Sequence, residues 1–212
     1  MSKLKLPPAS GNSVSIAAPQ SNPASDRTLY VPSNADGTIL TNTTPGCILQ
    51  VICNTRNDVQ TMVVQQTLTD IPGTDQNGAG SIYCIKITPS ATSSKILFRV
   101  HLHWSATNDN PSGGIFYRDT TALTIGASAT DKKSLTFQAP YQVAADGSNL
   151  SCFPISYELL DSPNTTSEVV YKVKYWNHHS DDAYLNRSIR DSAGTSYDFR
   201  TTSTLTAMEI AG

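Results

Sequence analysis

A chain of 212 residues suits one sizeable domain with an appendage, or two small domains. Charged residues make up only 15% of it, the formal net charge is -2, and no run of Lys or Arg occurs, so the electrostatic footprint of a nucleic-acid or anionic-membrane partner is missing. No apolar stretch reaches the roughly 18 residues of a spanning helix. Pro7 and Pro8 interrupt the N-terminus before the apolar core of a signal peptide develops, and the sequence therefore expects folding in a cytosol.

Thr, Ser and Asn stand where charges are scarce, and they favour strands and turns over helices. The stretch SVSIAAPQSNPASDRTLYVPSNADGTILTN, from Ser13 to Asn42, holds two short apolar runs between turn residues. A two-strand ribbon of this kind is marginal alone, so it requires a partner, either the rest of the chain or other copies of it. From Gly46, GCILQVICNT is apolar on both faces, with Ile48 and Ile52 opposite Cys47, Leu49, Val51 and Cys53. That predicts a strand that is buried or lies at an interface. DVQTMVVQQTLTDI predicts a further strand because Thr61, Val63, Val64, Thr67 and Thr69 are β-branched. PGTDQNGAGS is loop chemistry, and SIYCIKITP alternates Tyr83, Ile85 and Ile87 against Cys84 and Lys86 as a half-buried strand does.

SKILFRVHLHW carries the clearest alternation. Ile96, Phe98, Val100, Leu102 and Trp104 share one face, and Leu97, Arg99, His101 and His103 share the other. After the loop SATNDNPSGG come GIFYRD, TALTIGAS, KSLTFQAPYQV and LSCFPISYELLD as strand candidates. EVVYKVKYW then places Val169, Tyr171, Val173 and Tyr175 on one face, with Val170, Lys172, Lys174 and Trp176 opposite. NHHSDDAYLNRSIRD and SAGTSYDFRT read as loop-rich connections, and STLTAMEIAG closes the chain as a strand. Cys47, Cys53, Cys84 and Cys152 lack any C-x-x-C spacing and predict reduced, buried thiols.

Eight or nine short strands without a convincing helix make the chain all-β, a sandwich or barrel. Strands at both chain ends favour a jelly-roll β-sandwich, with an immunoglobulin-like Greek-key sandwich as the alternative. The expected division is an extended N-terminal attachment and stalk segment over residues 1–44 and a β-sandwich head over residues 45–212.

The segment APQSNPASDRTLYVPSNADGTILT resembles one common in bacteriophage tail-fibre and other virion appendage proteins, through Ala18, Pro19, Thr28, Leu29, Pro32, Gly37, Thr38, Ile39, Leu40 and Thr41. Val31 stands where Leu is commoner. TPSATSSKILFRVHL, LLDSPNTTSEVVYKVKYW and the terminal STLTAMEIAG resemble a domain that often follows it. The resemblance implies a virion protein: a homotrimer with a stalk of strands from three chains and a jelly-roll head similar to tumour-necrosis-factor-like heads. Its role would be host-surface attachment as a tail fibre, docked to a tail or baseplate adaptor. The alternative is a capsid decoration, cement or head-fibre protein without receptor specificity.

No G-x-S-x-G, H-E-x-x-H or phosphate-cradling glycine loop occurs, and the expectation is a non-enzyme with no cofactor and no metal. Asp181-Asp182 is the pair that a glycan-cleaving reading would use. His101 and His103 project from one strand face and are the residue types for a metal, with Arg99 on the same face weighing against one. His178-His179 with Asp181 and Asp182 offers the same ligand types in a loop. For receptor binding the candidates are Trp176, His178, Tyr184 and Asn108, with Tyr117 and Tyr197 as further aromatics able to stack on a host-surface glycan.

Overall fold

The computed structural model describes residues 3–6, 14–17, 45–106, 111–140, 150–178, 182–194, 196 and 198–212. The chain divides into two compact units, Met1–Ile39 and Leu40–Gly212. In the first, β1 (Lys3–Leu6) and β2 (Val14–Ala17) form an antiparallel two-strand ribbon. The rest of the stretch from Ser13 to Asn42 lies outside the described residues.

The second unit is all-β, with no helix among the described residues. Its strands are β3 (Ile48–Arg56), β4 (Gln60–Met62), β5 (Thr69–Asp70), β6 (Cys84–Ile87), β7 (Lys95–Ala106), β8 (Ser112–Arg118), β9 (Thr121–Ala122), β10 (Phe137–Ala139), β11 (Phe153–Asp161), β12 (Val169–Asn177), β13 (Ala183–Leu185) and β14 (Ser203–Ile210). Several are successive pieces of one column. β3 and β4 run along β14 and β13 respectively, β5 and β6 both pair with β12, and β9 and β10 both pair with β8. The first sheet is thus β3/β4, β13/β14, β7 and β11, and the second is β9/β10, β8, β12 and β5/β6.

The period-two pattern decides what lies between the sheets. Ile96, Phe98, Val100, Leu102 and Trp104 of β7 face Val169, Tyr171, Val173 and Tyr175 of β12, all of them buried. Phe98 meets Phe116 edge-on at 5.4 Å and Tyr171 at 5.3 Å between ring centres. Two polar contacts join the sheets across this core. Trp104 Nε1 donates to Ser112 Oγ at 2.9 Å, and the Tyr171 hydroxyl donates to Asp161 Oδ2 at 2.6 Å, where Arg118 Nη1 also binds. Gly114 leaves room for the Phe137 ring, which a Cβ there would approach to 2.7 Å.

Three expectations need correction. The strand predicted through DVQTMVVQQTLTDI is broken into β4 and β5, which belong to different sheets. The link between them is held by β12: Asn177 Nδ2 donates to the Met62 carbonyl, the Val64 N–H donates to the Tyr175 hydroxyl, and the Gln66 N–H donates to the Asn177 carbonyl. Gln66 adopts a left-handed φ of 51°, which ends any extended run there. Secondly, β13 lies in a segment read as connection, because its two buried residues, Ala183 and Leu185, are too few to make a visible alternation. Finally, the thiols are free as expected, but only Cys84 is buried and Cys53 is exposed.

Candidate functional site

The outward face of the first sheet is laid out by register. Residues that alternate with the core align in rows across the strands, and one row is Val51, Met208, Leu97 and Leu160, one residue from each of β3, β14, β7 and β11. Val51 is 55% exposed and Leu160 51% exposed, with Leu97 and Met208 half-buried between them. Beside this row lie Ile210 and Ile48, the latter 60% exposed. A register shift between Glu209 and Ile210 lets both Ile48 and Val51 face outward. GCILQVICNT is therefore a strand at the border of its sheet with an apolar outward face; of the two outcomes expected of it, burial within the chain does not hold, and an interface is the one left open.

The following rows are polar. Cys53, Thr206, Arg99 and Glu158 come next, and Arg99 Nε lies 3.3 Å from Glu158 Oε2. Then come Thr55, Thr204, His101 and Ser156, and beyond them His103 opposite Pro154. Arg99, His101, Ser156, Tyr157, Glu158 and Thr204 line an open depression of about 550 Å³. The His101 and His103 rings meet edge-on with centres 4.9 Å apart.

A second candidate region lies on the outward face of the other sheet. Trp176 and His178 contact each other there, with ring centres 5.5 Å apart, and Lys133 Nζ stands 5.7 Å from the centre of the indole. A depression beside Trp176 is bordered by Pro111, Gly126, Lys133, Phe137 and Gln138. Tyr117 is on the same sheet face under Lys174 Nζ, at 5.1 Å.

The structure therefore brings the sequence candidates together only in part. His101 and His103 adjoin each other, and so do Trp176 and His178. Tyr184 belongs to the outward face of the first sheet, where the Arg187 guanidinium lies 3.9 Å over its ring, so Tyr184 and Trp176 do not share a face. Asn108, His179, Asp181 and Tyr197 lie outside the described residues. Sequence reading missed the apolar row itself. Its members were each visible as apolar residues, but positions 51, 97, 160 and 208 become neighbours only through strand register.

Ionisable groups inside the body serve its packing. Burial pulls the Glu209 carboxyl upward, but hydrogen bonds from Ser90 and Gln50 outweigh this and hold it below the usual glutamate value. Burial, reinforced by Asp161, pushes the Tyr171 phenol well above its usual range, so it remains a hydrogen-bond donor. Among the described residues no group of three or more His, Cys, Asp or Glu is placed to hold a metal ion. No family model matches the chain, and no curated protein matches it.

Proposed function

We propose that this chain is a bacteriophage virion protein, a homotrimeric tail fibre whose β-sandwich head acts in host-surface attachment. The observation that carries the assembly part is the row Val51, Met208, Leu97 and Leu160, which a lone chain leaves in water although it crosses all four columns of a sheet. The occupant is another copy of the same chain. Beside the apolar row, Arg99 and Glu158 lie 3.3 Å apart and offset each other, so the face carries no uncompensated charge that would oppose its burial against a copy. The row also lies at the end of the sandwich where the Gly46 N–H donates to the Ala211 carbonyl.

The column order supports the jelly-roll form of the sandwich. Counting columns along the chain, the first sheet runs 1-8-3-6 and the second 5-4-7-2, the order of two interlocked Greek keys with the first and last columns paired. For host contact, the Trp176 and His178 corner offers an indole beside Lys133 and Gln138, an apolar surface with polar groups at its rim that suits a saccharide. Three such corners on one head gain avidity, because the second and third contacts form at high effective concentration. The resemblance of the N-terminal segment to virion appendage proteins supplies the biological setting, the virion.

Light scattering on the intact chain tests the assembly. The expected mass is three times the 22.8 kDa of one chain. A single-chain mass at micromolar concentration overturns the trimer, and leaves a decoration subunit that is ordered by the capsid. Binding of purified protein to host cells, with Trp176→Ala against wild type, tests attachment while light scattering shows whether the trimer persists.

A further inference from the structure

We propose that the corner formed by Trp176, Lys133 and Gln138 takes an acidic saccharide, one whose ring carries a carboxylate, in preference to a neutral one. The inference rests on the reading of this corner as the host contact and adds the charge of what it takes.

Strand register builds the floor of the corner. Gln138, Gly113 and Trp176 lie in one outward row across β10, β8 and β12. No side chain stands at Gly113, and the Leu135 Cδ1 methyl covers it, 2.8 Å from the place a Cβ would take. An apolar floor therefore runs between the indole and Gln138, within a depression of about 340 Å³, inside the size range of small-ligand sites. A pyranose ring has an apolar face to lay on such a floor and hydroxyls to turn toward its polar rim.

The charge comes from comparing the aromatic contacts. Among the described residues, four cations lie over aromatic rings, and three of them also hold a carboxylate. Arg56 over Tyr83 binds Asp58 at 2.5 Å, Arg187 over Tyr184 binds Asp191 at 2.7 Å, and Lys174 over Tyr117 has Asp70 at 4.0 Å. Lys133 has no carboxylate partner among the described residues, although it borders the depression. Its Nζ is 5.7 Å from the centre of the indole, near the outer limit of about 6 Å for a cation–π contact, so the ammonium can turn to an incoming anion with little lost. One ammonium matches the single charge of a carboxylate, and the hydrogen bond it donates is charge-assisted. No Arg borders the depression, which sets it apart from the forked sites that hold phosphate.

The test is calorimetric titration of the full chain with oligomers of galacturonate, glucuronate and mannuronate, each beside its carboxyl-reduced neutral counterpart. At least one acidic oligomer should bind about fivefold more tightly than its neutral counterpart, and added salt should erase that margin. Lys133→Gln should erase it too while leaving the neutral affinity unchanged, and Lys132→Gln, outside the depression, should leave the margin in place. The chain has two tryptophans and Trp104 is fully buried, so a bound oligomer should shield Trp176 from acrylamide quenching. Equal binding of both members of every pair, or a margin that survives Lys133→Gln, overturns the proposal and leaves the corner a saccharide site. Binding of no oligomer overturns it as well, and the host-cell assay with Trp176→Ala then decides separately whether the corner touches the host.

Discussion

On the second sheet, the outward residues of β12 include Lys172 and Lys174, and each is answered. Lys172 Nζ lies 3.0 Å from Asp70 Oδ1, Lys174 lies over Tyr117, and Lys86 of β6 pairs with Asp75 at 2.9 Å. On the first sheet, β7 alternates in the same way, yet its outward Leu97 belongs to an apolar row, Arg99 and His101 line a depression, and His103 stands beside His101. The two strands have the same period and contribute to the same core. Their difference teaches that alternation sets which residues turn away from the core, whereas the chemistry of those residues sets whether that face is finished by solvent or needs a further surface.

The largest expected effect removes the core that both faces share. Trp104→Ala deletes the side chain that packs on Phe137 and bonds Ser112, and should cost about 3–5 kcal/mol in denaturant unfolding. Both faces should lose order together, and a loss confined to one would show that the sheets are not one cooperative unit. Next comes the row itself: Val51→Asp with Leu160→Asp should reduce the proposed trimer to single chains by light scattering, with little change in far-ultraviolet circular dichroism. The matching change on the other sheet, Lys172→Met, should leave the mass unaltered, and a dissociation there would reverse the comparison.

Acid should act on the first sheet through Glu209. Its folded pKa lies below the unfolded value, so its contribution is complete above the ordinary carboxylate range and is lost as pH falls through the lower folded value. Wild type should therefore lose stability more steeply than Glu209→Gln once pH falls below about 4, as read from urea midpoints across pH. Parallel curves would remove Glu209 from the account. The smallest effect is expected of Lys172→Met on stability, at most about 1 kcal/mol, because a partly solvated ion pair gains little over hydrated ions.

The strands of β7, β12 and β14 were readable because their core residues alternate without interruption, and the class of fold follows from that number of short alternating runs without a helix. β4 and β5 were not separable, because the break between them is made by Tyr175 and Asn177, more than a hundred residues further on. β13 was invisible for the same reason: Ala183 and Leu185 become strand residues by lying against β7. The candidate site was readable in pieces. His101 and His103 were paired by spacing alone, whereas Trp176 and Tyr184, close in sequence, proved to belong to different sheets.

By itself, the sequence determined the all-β class, the residues that face the core and the identity of the histidine pair, since each depends on local periodicity within one strand. Only the tertiary structure decided that Val51, Met208, Leu97 and Leu160 form one row and that Glu158 offsets Arg99. Those neighbours come from strands far apart in the chain, and their meeting is fixed by hydrogen-bond register, in which a slip of one residue would turn every side chain to the opposite face.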